Sequence, residues 1–409
     1  MTLASAEVWA FSLASRTLLV VEHMLGIAAV VLAPLLIAQP TSARAAEPRP
    51  PVQLTLSAPT GPYPLGTVSL HLVDRTRPDP LADGHPRELM VTLTYPARSI
   101  AGHPVARWIE PKAGLEYLRE EGLPAGAVLL PVTHDHEGAP ADRRLGRLPV
   151  VLYSPGNDAP RSINTMVVEE LASRGYVVGT IGHTFDGVIQ FPGGRVVTPA
   201  PDGPATGPLI AEQRVADTRF VLDRLAEVNR GGNPDAEHRR LPAGLRGLLD
   251  LDRVGMFGHS AGGATVASAM VEDPRIKAGL SLDGPVAGPV ITAGLDRPYM
   301  LMEATKARPE NVPDLATFWS HLRGWKLAVR ADGAEHASYT DLDVIIAQAA
   351  PALGLSASQV AEQIGTLAPA RAVAIQRAYP LAFFDRHLRR KGHLLDRPSR
   401  RFPEVTFRP

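Results

Sequence analysis

The sequence predicts an α/β fold, with a mostly parallel central sheet, an antiparallel N-terminal hairpin and helices on both faces. Three observations predict it. From Leu148 onward, short apolar runs bounded by turn residues alternate with helical patterns, which is how a helix-covered parallel sheet reads. Before them, two alternating stretches at 66–73 and 88–95 flank a charged, Pro-rich turn at 74–86 and read as a hairpin. The third is VGMFGHSAGG at 254–263: an apolar run, a Gly-His-Ser-Ala-Gly turn, then a small-residue helix to about Glu272.

Composition sets the limits. The chain has 409 residues, 45% of them hydrophobic and 21% charged, which suits one large globular domain or two small ones. Lys plus Arg (42) equals Asp plus Glu (42), so no net field favours nucleic acid or an acidic membrane. With no cysteine, disulfides, thiolate metal sites, a Cys nucleophile and a lipoprotein anchor are excluded.

Residues 24–38 contain only apolar residues, Gly and Pro34; Arg16 precedes them and Ala43-Arg44-Ala45 follows. That order is a secretory signal with a cut after Ala45 or Ala46. An uncleaved membrane anchor needs about 20 apolar residues and would have to include Glu22 and His23. The expected organisation is a signal peptide (1–45), a Pro-rich, extended leader (46–62), a catalytic domain (63–392) and a basic C-terminal tail (393–409).

After the hairpin, residues 97–146 look irregular, with a helical patch near 115–121, and end in the Thr-His-Asp-His-Glu run 133–137. Two His with flanking carboxylates suit a metal, but no third ligand stands at a helical spacing. The run is read as a polar loop, and neither metal nor cofactor is expected. Residues 148–153 (LPVVLY) are a buried central strand. Residues 164–174 form an amphipathic helix closed by Gly175, a C-cap signal, and 176–181 the next buried strand. Residues 185–208 are a Gly/Pro-rich loop long enough to lie over a site. Residues 210–228 repeat apolar positions at helical spacing (Val215, Phe220, Val221, Leu222, Leu225), and 229–248 are a surface loop. Beyond 254–263 come strands at 276–282, 299–303 and 326–330. Helices are expected around 315–322, 340–349, 357–364 and 371–390.

A G-x-S-x-G match alone arises by chance in a chain this long roughly 0.1–0.2 times, so its context carries the argument. A strand, a sharp turn and a helix throw Ser260 out at the C-terminal end of the strand in a strained backbone conformation. Gly258 and Gly262 are required because a Cβ there would collide with the neighbouring strand or helix. With the hairpin and the alternation, this is an α/β-hydrolase fold. A serine hydroxyl is a poor nucleophile without a base in hydrogen-bond reach and a third group orienting that base. In this fold the chain order is Ser, acid, His. Of the later histidines, His321 and His387 fall in helices and His393 in the basic tail; His336 alone follows a strand in a Gly-containing loop (DGAEHAS). Asp283 and Glu303 end adjacent strands after the turn, and strand position does not choose between them as the acid.

GHSAGGATV, then LDG 23 residues after Ser260, then the His336 loop a further 53 on, resembles the platelet-activating-factor acetylhydrolase family and its secreted bacterial lipase and esterase members. PVVLYSPGNDAPR with ASRGYVV resembles the family's oxyanion strand and loop, and GTVSLHLVDRTRPDP with RELMVTLTYPAR its hairpin; the likeness covers roughly residues 60–390. The resemblance implies a serine esterase or lipase with Ser260 as nucleophile, His336 as base and Asp283 as acid, acting on short acyl esters or phospholipid acetyl esters. Its partner is then a small-molecule ester or lipid, with no nucleic acid. The animal enzymes have His-Gly before the donor residue, where this chain reads Ser154-Pro155-Gly156-Asn157. Pro155 has no N–H, so the expected oxyanion donors are the backbone N–H groups of Asn157 and Ala261. Two other readings stay open: a peptidase or amidase on the same triad, and a non-catalytic hydrolase-like binding protein. The basic C-terminal residues, Arg386 to Arg401, either touch anionic lipid headgroups weakly or stay solvated beside a helix C-terminus.

Overall fold

Apolar runs bounded by Gly, Pro and Asp build one eleven-stranded sheet in the computed structural model, which describes residues 50–408 apart from 125, 202, 204, 205 and 305–312. The expected signal peptide lies outside the described residues. The strands are β1 (Leu65–Pro78), β2 (Pro86–Pro96), β3 (Val105–Arg107), β4 (Val132–Glu137), β5 (Leu148–Ser154), β6 (Val177–Gly182), β7 (Leu249–His259), β8 (Ile276–Leu282), β9 (Tyr299–Glu303), β10 (Lys326–Ala331) and β11 (Val405–Arg408). Their spatial order is β11-β10-β9-β8-β7-β5-β6-β2-β1-β4-β3. From β6 to β10 every pairing is parallel; β1 and β2 pair antiparallel, and β2 joins β6 antiparallel.

Helices cover both faces, which is why the central strands read as continuous apolar runs. In β5, Val150 and Leu152 pack under α3 (Thr206–Arg230), α4 (Ala261–Glu272) and α5 (Pro313–His321). Val151 and Tyr153 pack under α2 (Thr165–Ser173), α6 (Leu342–Leu353) and α8 (Pro369–Arg389). Two further helices are α1 (Pro111–Glu120), whose Ala113 and Tyr117 join the core on the α2 side, and α7 (Ala357–Ile364).

Several elements differ from their sequence reading. Helix α2 is not amphipathic: all nine of its residues are buried, because the leader covers its outer side. The Glu170 carboxylate accepts from Thr60 N–H and its hydroxyl at 2.7 Å each, and Gly61 N–H donates to Ser173 Oγ at 3.2 Å. The leader is therefore held down, with Leu54 and Leu56 buried. The stretch 97–146 holds β3, β4 and α1. Thr133–Glu137 is part of strand β4 rather than a loop: Asp135 faces inward, and His134 Nδ1 meets Glu169 at 2.8 Å. The tail is not wholly solvated. Leu395 and Phe402 are buried, and β11 adds an antiparallel edge to β10. In α3 the buried stripe begins with polar residues, Gln213, Arg214, Asp217 and Thr218, while Val215 and Phe220 are only partly buried.

Candidate active site

Strand β7 ends at His259, and α4 starts at Ala261. Ser260 between them has φ 54° and ψ −124°, a region an L-residue adopts only when its surroundings impose it. The glycines allow the turn. A Cβ on Gly258 would lie 2.2 Å from Gly262 O, and one on Gly262 would lie 2.0 Å from Ser154 O on β5. Ser260 N–H donates to Leu282 O at 3.0 Å, tying the turn to the end of β8. Ser260 is partly accessible.

Asp283 follows β8, also at positive φ (50°), and its N–H donates to Met302 O at 2.8 Å. One carboxylate oxygen, Oδ1, accepts from Ala304 N–H at 2.7 Å; the other, Oδ2, lies 2.6 Å from His336 Nδ1. The Asp283 side chain is buried, and that of His336 is half exposed. His336 opens a short 3-10 turn, His336–Tyr339, fixed by reciprocal capping between Glu335 and Ser338. Glu303, the rival carboxylate, is fully buried and meets Arg408 of β11 at 3.3 Å.

Under His336 lies His259, buried, with the two ring centroids 4.4 Å apart. His259 Nε2 is 3.0 Å from the His336 carbonyl. A carbonyl only accepts, so Nε2 carries the proton. Burial, reinforced by the charge His336 can carry, holds His259 well below the ordinary imidazole range, so it stays neutral.

The loop after β5 borders the same turn. Gly156 approaches Ser260 so closely that a Cβ on it would sit 3.2 Å from Ser260 Cβ. Asn157 follows it, partly buried. Ala261 is the first residue of α4, where N–H groups have no intrahelical acceptor and the helix dipole favours negative charge. Ser260, Asn157 and Ala261 thus share one corner of the sheet, with Asp283 and His336 joined beside it. A cavity of about 530 Å³ lies against β1, β2 and β6, lined by Thr92, Trp108 and Arg161 among others. Ser260, Asp283 and His336 do not line it. Pro160, Arg161 and Ser162, which continue the Asn157 loop, are among its lining residues.

Residues 210–395 match the family described as platelet-activating factor acetylhydrolase, isoform II. A probable 1-alkyl-2-acetylglycerophosphocholine esterase of Arthroderma benhamiae is 27% identical over 87% of this chain and 94% of that protein. The dog platelet-activating factor acetylhydrolase is 24% identical over 48% of each chain. The solved ferulic acid esterase of Streptomyces cinnamoneus is 35% identical, covers 87% of this chain and 99% of its own, and superposes with a TM-score of 0.72. The chain belongs to the platelet-activating factor acetylhydrolase-like family of α/β-hydrolases. It is a serine carboxylic-ester hydrolase.

In this acetylhydrolase-like chain, three residues at the site had no assigned role in the sequence. His259 occupies the variable position of the G-x-S-x-G motif, where no residue type is demanded. Ser154 and Arg214 meet behind the Asn157 loop. Only one signal pointed to Arg214: it stands one turn before Asp217 on a helix whose apolar stripe starts later.

Proposed function

We propose that Ser260 attacks the ester carbonyl, that His336 takes and returns its proton, and that Asp283 orients His336. Hydrolysis runs through an acyl-enzyme, with the oxyanion received by the N–H groups of Asn157 and Ala261. The observation that carries this reading is the 2.6 Å contact of His336 Nδ1 with Asp283 beside a serine at φ 54°. Asp283 leaves Nδ1 protonated and Nε2 free to act as the base. The preferred substrates are short acyl esters or phospholipid acetyl esters, a class supported by the names of the fungal and canine relatives. In this reading the segment 185–201, between β6 and α3, is a wall of the acyl pocket. A second reading, a hydroxycinnamate ester as substrate, is favoured by the ferulic acid esterase likeness at 35% identity. We also propose that the protein is exported, on the strength of the apolar run 24–38 and the A-R-A site. Among the described residues, no helix is long and apolar enough to cross a membrane.

Ser260→Ala tests the mechanism. It should lose at least about 10⁴-fold in kcat while keeping the wild-type melting temperature; retained p-nitrophenyl acetate turnover would refute the nucleophile. A panel of p-nitrophenyl esters of rising acyl length, a phospholipid acetyl ester and methyl ferulate separates the substrate readings. A rate that rises with acyl length and jumps on micelles would overturn both.

A further inference from the structure

Behind the Asn157 loop lies a second Ser–His–Asp chain, fully buried. Asp217 accepts from Arg87 Nη2 at 2.7 Å and sits 2.9 Å from His183 Nδ1. Against the opposing effect of burial, Arg87 and the His183 contact hold the Asp217 carboxyl far below the usual range, so it is ionised and accepts the Nδ1 proton. Burial holds His183 below the ordinary imidazole range; it is neutral, and Nε2 accepts from Ser154 O–H at 2.9 Å. Ser154 Oγ in turn accepts from Arg214 Nη1 at 3.1 Å. From Arg214 Nη1 through Ser154 and His183 to Asp217, each donor in the line has an acceptor. No route from solvent reaches Ser154, which is 0% exposed, so a nucleophilic role is excluded.

The output of this chain is the direction of the Arg214 guanidinium. Its Nη1 donates to Pro155 O at 2.6 Å and its Nη2 to Gly156 O at 3.1 Å, while Asp186 pairs with its Nε side. In a trans peptide the C=O and the following N–H point in opposite directions. Two carbonyls drawn toward Arg214 therefore turn the N–H groups of Gly156 and Asn157 away from it. Gly156 has Ser260 as a close neighbour.

We propose that Arg214 is a positioning residue that aims the Asn157 N–H at the developing oxyanion, with Ser154, His183 and Asp217 fixing Arg214 in turn. This rests on the reading of Ser260 as nucleophile and Asn157 as donor. A planar guanidinium suits the task because its fork can hold two successive carbonyls in one geometry. A preorganised donor is felt where charge develops, so the clamp acts on kcat and hardly on ground-state binding.

The test uses the full chain with Arg214→Met and Arg214→Lys. Lys keeps a cation beside Asp186 but lacks the rigid planar fork that holds two carbonyls in one geometry, so it keeps the experiment decisive if the Met variant does not fold. Kinetics on p-nitrophenyl acetate are compared with inhibition by a trifluoromethyl ketone, which forms a tetrahedral oxyanion adduct on a serine. For a folded variant, kcat should fall about 10²-fold or more, with KM within about threefold. The inhibitor constant should rise by the same factor as kcat falls, with Lys between wild type and Met. A purely structural defect would lower the active fraction without changing the inhibitor constant, and that result would overturn the proposal. So would wild-type kcat in folded Arg214→Lys with Ser260→Ala inactive. An active Ser260→Ala would instead remove the reading of the site, and the clamp with it.

Discussion

Asp283→Asn tests the acid most sharply, because the structure dictates how the amide must turn. Asp283 Oδ1 accepts from the buried Ala304 N–H at 2.7 Å, and that donor has to be satisfied. Asparagine has one oxygen, so it faces Ala304 and its NH₂ faces His336 Nδ1. A donor there forces Nδ1 to accept and leaves the proton on Nε2. His336 is then fixed in the tautomer that cannot take a proton from Ser260. The same swap in a serine protease costs about 10⁴-fold in kcat, which is about 5.4 kcal/mol. Shape and buried volume hardly change, so the melting temperature should stay within a few degrees of wild type. Steady-state kinetics on p-nitrophenyl acetate, with Glu303→Gln beside it, provide the assay. Glu303 meets Arg408 of the edge strand β11, and its amide variant should lose tenfold or less. A dead Glu303→Gln beside an active Asp283→Asn would refute the reasoning and move the acid to β9.

Gly262→Ala should destabilise the protein by about 1–3 kcal/mol in urea unfolding and lower kcat, since the new Cβ would lie 2.0 Å from Ser154 O at the base of the Asn157 loop; an unchanged midpoint would refute the close approach. Burial between Trp325 and Phe383 pushes His387 down to about 4. Its folded pKa lies below its unfolded value near 6.5, so the unfolded state binds more protons in that window. The stability that neutral His387 contributes should therefore be full above about pH 6.5 and be lost as pH drops toward 4, with His183 and His259 acting in the same direction and the raised carboxyls of Asp341 and Asp343 in the opposite one. His387→Phe should flatten this acid limb, read as the urea midpoint at pH 5 against pH 7.5; an unaltered limb would refute the assignment. Protein from the culture medium should begin near Ala46 or Glu47 by N-terminal sequencing, and an intact Met1 in a membrane fraction would refute export with cleavage.

The sequence was most informative where burial is decided locally. Residues 276–282 and 299–303 are bounded by charged, Pro and Gly residues, and they form β8 and β9 over those same positions. Ser260, Asp283 and His336 stood out because each follows a strand with Gly close by. Pattern reading failed where polar groups are buried. Glu169 and Glu170 in α2 look solvent-facing, but their partners His134 and Thr60 are remote in sequence. The same holds for the first turns of α3, where Arg214 and Asp217 face a network rather than water. β11 escaped because a four-residue edge strand among arginines carries no period. Its pairing with β10 exists only once the sheet is formed.

The same non-local bonds explain how the site keeps two residues in unfavourable backbone conformations. Positive φ at Ser260 and at Asp283 costs of order 1–3 kcal/mol each and persists only where the surroundings over-determine it. Each is hooked to the next strand in line. Ser260 N–H binds Leu282 O after β7, Asp283 N–H binds Met302 O after β8, and Ala304 N–H after β9 returns to the Asp283 side chain. On the other side of Ser260, Arg214 holds the carbonyls of Pro155 and Gly156 after β5. The ends of β7, β8 and β9 are thus fixed relative to one another by bonds beyond the sheet ladder, and the loop after β5 is fixed to α3. Serine, carboxylate and the Asn157 N–H stand on three different strand ends, so their mutual geometry depends on those bonds more than on any one loop. The rigid sheet supplies the spacing, and the buried polar groups behind it set the direction in which each group points.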